Sequence, residues 1–361
     1  MSRTSSRTRR AATAYDLDGL RAAVNDVYSP PATLTLGAFK KLDGASRDEW
    51  LQNRIAHHGR SFVVLTDAMG QAFTDIHLLS EMNRYRPDDR EVYMINGPAG
   101  LGKTTIARQV AVNFERKYRE RHPDYLRNDE CPVLMVATPA KCSPTAFDKA
   151  LLTFLHYSYP DIYSHERLKS RVVHALHDKR VQLVIIDDLH RLRSTGKLTL
   201  ETADLLKEYF DLSVCTFIYL GINLTTSGFF EGDAGQQILN RGSLLTLERC
   251  GNERGDRQRE WRAIVGALES NLRLLRHRPG ALTSPRMLQE LYDRTLGRLG
   301  ALNKLLQTAA MYATTIEDAD TANLREFGII GRERIDLQVL RAVKSVASVQ
   351  SIEVARKADE Q

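Results

Sequence analysis

The run Gly97–Thr105 has the residue types and the spacing that bind the phosphates of a nucleotide. It reads GPAGLGKTT and matches the pattern G-x-x-x-x-G-K-[ST], whose glycines let backbone amides curl around phosphate oxygens. In this pattern Lys103 reaches the β- and γ-phosphates, and the Thr104 hydroxyl ligates Mg²⁺. The predicted ligands are a nucleotide and Mg²⁺. The predicted phosphate-binding residues are Gly97, Pro98, Ala99, Gly100, Leu101, Gly102, Lys103, Thr104 and Thr105.

Two carboxylates follow a second apolar run, Leu183–Ile186, eighty residues beyond the phosphate loop. Four apolar residues predict a buried strand, and α/β sheets bind ligands at the carboxyl ends of their strands. At this position Asp187 would hold Mg²⁺, directly or through water. Asp188 would act as the general base that polarises the attacking water. The acidic pair therefore predicts a metal ligand and a general base in the nucleotide site.

The elements around these motifs alternate between strand and helix, which is typical of a parallel α/β sheet. The predicted strands are Val92–Ile95, Val133–Val136, Val181–Ile186, Cys215–Leu220 and Ser243–Leu247, and helices are predicted at 144–157, 165–178 and 199–211. After Glu248 the strand signal stops. Apolar stripes at helical spacing then predict further helices, one of which starts at Ser284-Pro285 with the serine as its cap. The predicted fold is an α/β P-loop NTPase, with a parallel five-stranded sheet between helices and a C-terminal α-helical lid.

Composition shifts along the chain predict five segments. They are a basic disordered arm at 1–14, an N-terminal helical region at 15–88, a nucleotide-binding core at 89–250, a helical lid at 251–335 and a tail at 336–361. The Pro30-Pro31 pair is expected to break the N-terminal helical region. The arginine-rich arm either clamps phosphates or is an unstructured tail without a measurable role.

The overall composition is that of an ordinary globular protein and narrows the function classes. A net charge of +6 and a pI of about 9.1 favour a polyanionic partner without proving one. No apolar run approaches the length of a membrane span, and the N-terminus lacks the apolar stretch of a signal peptide. The four scattered cysteines have no metal-ligand spacing and predict reduced thiols. A cytoplasmic protein with no membrane partner is expected.

Together these features resemble the AAA+ ATPases. Within them the chain is most similar to the transposition ATPases of the TniB/TnsC type, which share their function with phage MuB. The resemblance is carried by GPAGLGKTT and by Ile186–His190, where an acidic pair precedes a histidine. It also rests on LGIN at the end of the fourth strand and on the lid stretch Thr295–Leu302. It covers about residues 45–330 and implies an AAA+ core with a helical lid.

The resemblance also implies roles for three further residues. Asn223 is the candidate sensor 1, which would bond the γ-phosphate or the water; a shift of one residue in the alignment would give this position to Ile222. Arg241 matches the arginine finger that completes the site of a neighbouring subunit, although Arg249 lies close by and a surface arginine is the alternative. Arg298 is the candidate sensor 2 in the lid.

One residue departs from the family pattern. Most AAA+ proteins that hydrolyse ATP have glutamate where this chain has Asp188. Aspartate is one methylene shorter, so its carboxylate is expected to lie too far from the water for efficient catalysis. The resemblance thus implies an ATPase with slow turnover.

The function implied is ATP-dependent binding of duplex DNA without sequence preference. The chain would form a ring or filament on target DNA and recruit or activate a transposase, and hydrolysis would drive disassembly. Lys141 and Lys149 are the candidate contacts with the phosphate backbone. Two alternatives stay open: a signalling-switch P-loop ATPase and an initiator or helicase-loader type of AAA+ protein. A metabolic P-loop kinase is disfavoured because no acceptor-substrate pocket is evident.

Overall fold

The computed structural model describes most of the chain. The described residues are 13, 15–86, 88–139, 142–160, 162–189, 191, 196–226, 230, 233–251 and 255–343, with the backbone alone for 196–202. They divide into two compact units. Unit 1 comprises the described residues of Met1–Val27, Asp67–Ala99 and Lys103–Leu247, and unit 2 those of Tyr28–Thr66, Gly100–Gly102 and Glu248–Gln361. The five segments expected from the sequence remain a prediction.

Unit 1 is built on a parallel five-stranded sheet, as predicted. Its strands are β1 (Val92–Asn96), β2 (Val133–Ala137), β3 (Leu183–Asp187), β4 (Thr216–Gly221) and β5 (Gly242–Thr246). They lie in the order β2-β3-β4-β1-β5, and every neighbouring pair is parallel. The four strands other than β5 are almost entirely buried, because both faces of a parallel sheet are covered by helices.

The helices of unit 1 surround this sheet. They are α1 (Leu17–Asn25), α4 (Asp67–Arg84), α5 (Lys103–Arg121), α6 (Pro144–Phe154), α7 (His165–Asp178), α8 (Gly196–Leu212) and α9 (Asp233–Asn240). Helix α6 begins where its sequence dictates: the Ser143 hydroxyl accepts from the Ala146 N–H, and Pro144 is the first helical residue. The predicted helix 165–178 has the bounds of α7, whereas the prediction of 144–157 runs three residues beyond the end of α6.

Unit 2 is helical. Its helices are α2 (Leu36–Lys40), α3 (Gly44–His58), α10 (Asp256–Glu269), α11 (Pro285–Thr295), α12 (Leu299–Thr315) and α13 (Leu337–Ala342). Helices α10 to α13 share a core centred on Trp261, which is fully buried. Helix α11 starts at Ser284-Pro285 as predicted, but the serine is not a side-chain cap. Its hydroxyl bonds the Ala281 carbonyl instead.

The structure also bears on the break before the phosphate loop and on the cysteines. The helices before the phosphate loop are interrupted between Asn25 and Leu36, the stretch that contains Pro30-Pro31. All four cysteines are unpaired and buried, as expected for reduced thiols. Among the described residues, no helix combines the length and the apolar character needed to cross a membrane.

Replacing Arg54 with alanine is expected to destabilise unit 2 by about 3–5 kcal/mol. Arg54 Nη1 lies 2.6 Å from Glu333 Oε2, and both side chains are buried. The variant would leave the Glu333 carboxylate buried without its counter-charge. Urea unfolding followed by tryptophan fluorescence measures the effect, because both tryptophans of the chain, Trp50 and Trp261, belong to unit 2.

The matched control is Arg325→Ala. Arg325 pairs with Glu317, and both side chains are more than half exposed. An exposed pair contributes at most about 1 kcal/mol. Equal losses for the two variants would contradict the structural role assigned to Arg54.

Unit 2 is also expected to lose stability as the pH falls from 7 to 5, because of His58. This side chain is fully buried, and its Nε2 accepts a hydrogen bond from the Arg273 N–H at 3.0 Å. Burial, assisted by neighbouring positive groups, lowers the pKa of His58 from 6.5 to about 3. Below pH 6.5 the unfolded chain therefore binds a proton that the folded unit does not bind. This difference removes about 2 kcal/mol between pH 7 and pH 5.

The variant His58→Asn isolates this contribution, because an amide accepts the same hydrogen bond and does not titrate. Tryptophan-detected urea midpoints at pH 7 and pH 5 should converge for the two proteins as the pH falls. A difference between them that does not change with pH would contradict the assignment.

Candidate nucleotide-binding site

The carboxyl ends of the central strands bring the predicted motifs to one edge of the sheet in unit 1. Asn96, at the end of β1, is in register with Gly221 at the end of β4. Asp187, at the end of β3, is in register with Ala137 at the end of β2. The phosphate loop follows β1 directly, and its last residues open α5. This is the edge at which parallel α/β sheets bind ligands.

The backbone of the phosphate loop has the shape that its glycines predict. Gly97, Gly100 and Gly102 have φ angles of 148°, 80° and 95°, in the region that side chains disfavour. At Gly97 space is also lacking, since a Cβ would lie 2.7 Å from the Leu247 carbonyl oxygen. Only glycine fits there. The loop and the first turn of α5 therefore form a cradle of the kind that binds phosphate.

The Lys103 ammonium is held against the loop that precedes it. Its Nζ donates to the carbonyl oxygens of Gly97 at 2.6 Å and Pro98 at 2.8 Å, and the side chain is 8% exposed. Burial lowers the pKa of Lys103, while Asp187 and Asp188 act in the opposite direction. A buried cation beside the cradle suits a polyanionic ligand.

The carboxylate of Asp187 is the centre of a hydrogen-bonded cluster. Its Oδ2 accepts from the Thr104 hydroxyl at 2.6 Å and from the Tyr15 hydroxyl at 2.8 Å. Its Oδ1 accepts from the Asp188 N–H at 2.7 Å. The side chain is 1% exposed. A hydroxyl and a carboxylate in contact form the hard-oxygen donor set that Mg²⁺ prefers.

Asp188 is held in an unusual backbone conformation and in an ion pair. Its φ is +56°, a region that aspartate adopts more readily than most residues. Its Oδ2 lies 2.8 Å from Arg191 Nη2, and both side chains are partly exposed. Arg191 Nη1 also reaches the Thr138 carbonyl at 3.4 Å. The carboxylate therefore lies beside the predicted metal ligand, but a cation is already bound to it.

Asn223 lies at the same edge of the sheet, two residues beyond β4. It also has a positive φ, +50°, and its side chain is exposed, whereas Ile222 is half-buried. The turn is fixed by Asn96, whose Oδ1 accepts from the Leu224 N–H at 3.0 Å. Of the two alternatives for sensor 1, Ile222 and Asn223, only Asn223 has a polar side chain. Its sensor role remains a prediction.

Arg241 lies at the opposite end of the sheet. Its carbonyl accepts from the Val92 N–H at 2.9 Å, at the start of β1. The four residue steps from Val92 to Asn96 span about 13 Å of strand. The Arg241 side chain is exposed. The structure therefore does not bring Arg241 to the phosphate loop that follows β1.

Within unit 2, Arg298 and Gly300 lie beside Gly100. The Gly300 N–H donates to the Gly100 carbonyl at 2.9 Å, and a Cβ at Gly100 would lie 4.0 Å from Arg298 Cδ. Burial, and next Arg249, lowers the pKa of Arg298. The preceding Gly297 could not carry a side chain, because a Cβ would lie 2.0 Å from the Cys250 carbonyl oxygen. Glycine at position 297 thus allows a close approach of two backbones.

The predicted DNA contacts are only partly covered. Lys141 lies outside the described residues, as do His190 and the arginines of the 1–14 arm. Lys149, on α6, has its ammonium 5.8 Å from the centre of the Tyr159 ring. Among the described residues, no cluster of three or more His, Cys, Asp or Glu side chains could hold a metal ion. Thr104 and Asp187 remain the predicted metal ligands.

Sequence reasoning missed two side chains of the site. Arg191 carried a usable signal, since it follows Asp188 by three residues, a spacing that allows contact in a helical turn. Tyr15 carried none, because it lies 172 positions from Asp187. Burial, followed by the charge of Asp187, raises the pKa of Tyr15, so its hydroxyl stays protonated and donates.

Comparisons with known proteins identify the family and the fold of the chain. The family model of the bacterial TniB protein matches residues 54–251, more than half of the chain. No curated protein matches the chain in sequence. The fold is similar to that of the Aeropyrum pernix ORC2 protein in ADPNP–ADP complexes. That similarity has 16% identity and a TM-score of 0.55, over 83% of this chain and 73% of that chain.

Two further solved structures show the same fold. The ADP form of the same ORC2 protein has 15% identity and a TM-score of 0.52, over 80% of this chain and 71% of that chain. The Aeropyrum pernix ORC1 protein in complex with DNA has 16% identity and a TM-score of 0.50, over 77% and 65%. The predicted AAA+ fold is confirmed. The family match and the fold support a nucleotide-hydrolysing P-loop ATPase in general.

Proposed function

Because the chain belongs to the bacterial TniB family, we propose that it is an ATP-dependent AAA+ ATPase that binds duplex DNA without sequence preference. ATP promotes its oligomerisation on target DNA, and the assembly recruits or activates a transposase. Hydrolysis then drives disassembly. The observation that carries the ATP-dependent step is the contact between Thr104 and Asp187 at the end of the phosphate loop.

The residues of the site take the following parts in this proposal. The loop from Gly97 to Thr105 holds the ATP phosphates, and Thr104 and Asp187 hold Mg²⁺. When bound, the metal would neutralise charge on the phosphoryl oxygens. Asp188 accepts a proton from the attacking water, and Asn223 orients that water. Arg298 is the proposed sensor 2.

Oligomerisation is supported by the position of Arg241. Its exposed side chain is at the amino end of β5, while the phosphate loop follows the carboxyl end of β1. An arginine finger at this place can serve only the site of another subunit. The proposed assembly is therefore a ring or filament in which each Arg241 completes a neighbouring site.

Binding to DNA is supported by charge and by the family. The net charge of +6 favours a polyanion. One of the proteins with a similar fold, ORC1, was solved in complex with DNA. Lys141, Lys149 and the arginines of the 1–14 arm are the proposed phosphate contacts. Contacts of this kind fix position on the duplex and carry no sequence information.

The likeness in fold to ORC proteins also favours a second candidate function. An initiator or helicase-loader protein would use the same nucleotide residues, but it would prefer an origin sequence or bind a helicase. A signalling switch is the third reading, and it would bind nucleotide without DNA. A gene for a DDE-type transposase beside this one would favour transposition.

The deciding experiment measures binding of the full chain to several unrelated duplexes. Each is tested with ATP, with ADP and with a non-hydrolysable analogue, at two salt concentrations, and the mixtures are imaged by negative stain. A transposition regulator should bind duplex DNA only with ATP, with an affinity that falls steeply with salt and does not vary with the duplex sequence. It should also form rings or filaments. Preference for one duplex would favour the initiator. Nucleotide binding without DNA binding would favour the signalling switch.

A further inference from the structure

We propose that Tyr15 is a latch on the metal end of the nucleotide site, which Mg²⁺·ATP must displace. This inference rests on the nucleotide site proposed above and adds an element that none of its motifs contains. The Tyr15 hydroxyl donates to Asp187 Oδ2, the oxygen that also accepts from Thr104. Tyr15 belongs to the segment just before α1, so the latch would connect the site to the N-terminal arm.

The carboxylate of Asp187 has little capacity left while Tyr15 is in place. A carboxylate oxygen accepts about two hydrogen bonds. Oδ2 already has two, from Thr104 at 2.6 Å and Tyr15 at 2.8 Å, and Oδ1 has one from the Asp188 N–H. Mg²⁺ at protein sites usually keeps several waters, whose hydrogens need acceptors nearby. A metal beside Thr104 would therefore compete with the Tyr15 hydroxyl for Oδ2.

The position of Tyr15 is fixed by a turn that its neighbours build. Asp16 Oδ2 accepts from both the N–H and the hydroxyl of Thr13, at 2.6 and 2.9 Å. The other oxygen of Asp16 accepts from the Gly19 N–H at 2.7 Å and caps α1. The Tyr15 N–H reaches the Thr13 hydroxyl at 3.3 Å. Asp16 thus connects the turn that contains Tyr15 to the start of α1.

The turn also requires a glycine in the first turn of α1. A Cβ at Gly19 would lie 1.9 Å from the Thr13 carbonyl oxygen, which is backbone and cannot rotate away. Any other residue at position 19 would push the Thr13 turn outward. Inside a helix, glycine is less stable than alanine by about 1 kcal/mol. The close approach of the Thr13 carbonyl explains why glycine is nevertheless found at position 19.

Helix α1 is anchored independently of Tyr15. Arg21 Nη2 donates to the Glu130 carbonyl at 3.1 Å, and Arg116 Nε donates to the Val24 carbonyl at 3.1 Å. Arg119 Nη1 donates to Asn25 Oδ1 at 2.8 Å. These contacts lie at the middle and the end of the helix. Displacement of Tyr15 would therefore move the turn at 13–16 and leave α1 attached.

The test compares Tyr15→Phe with wild type in titrations of a fluorescent ATP analogue, with Mg²⁺ and with EDTA. Tyr15→Phe should bind the Mg²⁺·nucleotide roughly tenfold more tightly, because a hydrogen bond to a charged group is no longer broken. Its affinity in EDTA should not change. The matched control is Tyr157→Phe, which removes a hydroxyl that bonds the Asp178 carboxylate at 2.8 Å on the surface. The control should bind as wild type does in both conditions.

Two further measurements keep the latch falsifiable if the affinity change is small. Gly19→Ala should have the same effect as Tyr15→Phe, since it moves the turn while keeping the tyrosine. Hydrogen exchange of wild type at residues 13–18 should increase with Mg²⁺·nucleotide and not with nucleotide in EDTA. Equal or weaker Mg²⁺·nucleotide binding by Tyr15→Phe, or no change in exchange, would overturn the latch alone. Absence of any nucleotide binding by wild type would overturn the proposed function as well.

Discussion

Lys103→Ala is expected to abolish nucleotide binding at micromolar concentrations and, with it, ATP-dependent binding to DNA. The Lys103 ammonium lies against the phosphate loop, where it donates to the carbonyl oxygens of Gly97 at 2.6 Å and Pro98 at 2.8 Å. It is already buried, so burial by a nucleotide costs little further desolvation. Removing one partner of a buried charge pair costs about 2–5 kcal/mol, or roughly thirtyfold to several thousandfold in affinity.

The measurement is a titration of the full chain with fluorescent ATP analogue and Mg²⁺, followed by DNA binding at saturating ATP. Lys117→Ala is the matched control, since Lys117 is an exposed lysine on the same helix, α5. The control should keep wild-type affinity for nucleotide. Retention of both nucleotide and DNA binding by Lys103→Ala would contradict the assignment of the loop. Retention of DNA binding alone would show that DNA is bound without ATP.

The phosphate loop could be predicted in detail because its physics is local. The glycines at 97, 100 and 102 are required by positive φ angles within a few residues. Strands β1 to β4 could be predicted for a related reason: a strand covered on both faces is a continuous apolar run, as in Leu183–Ile186. Each run was located to within one or two residues. Because such a strand is buried along its whole length, apolar residues occupy nearly all of its positions, and they identify it in the sequence.

The contacts that join distant segments could not be predicted in this way. Tyr15 and Asp187 are 172 positions apart, and Arg54 and Glu333 are 279 positions apart. Neither pair belongs to a periodic pattern, and a single tyrosine or arginine has many uses. No sequence pattern indicated that residues 28–66 belong to the same unit as the C-terminal helices. Only tertiary packing specifies these partners.

Sequence and structure each bear on the effect of Asp188, which stands where most AAA+ proteins that hydrolyse ATP have glutamate. The sequence suggests that the shorter aspartate side chain lies too far from the attacking water. The structure adds that residue 188 has φ = +56°, a conformation in which aspartate is more stable than a longer side chain. It also adds the ion pair with Arg191 at 2.8 Å, which occupies one carboxylate oxygen, Oδ2. We expect the short side chain and the ion pair to slow hydrolysis.

Asp188→Asn is expected to lower kcat by about 10²- to 10⁴-fold, the usual loss when a general base is removed. ATP affinity should change little, since the phosphate cradle and the Thr104–Asp187 contact are untouched. Steady-state phosphate release and nucleotide titration measure the two quantities separately. The exposed Asp204 on α8 supplies the control Asp204→Asn, which should leave both unchanged. Wild-type turnover in Asp188→Asn would remove Asp188 from the catalytic group.

Asp188→Glu tests whether reach limits the rate. We expect kcat to rise by about tenfold, because moving a catalytic group by 1 Å can change a rate up to a hundredfold. The gain is partly offset by strain, since glutamate is less stable at a positive φ. Arg191→Ala separates the other cause: it frees the carboxylate without extending it, and should raise kcat less than Asp188→Glu does. An unchanged kcat in Asp188→Glu would contradict limitation by reach. A larger gain in kcat for Arg191→Ala than for Asp188→Glu would show that the ion pair limits the rate of hydrolysis.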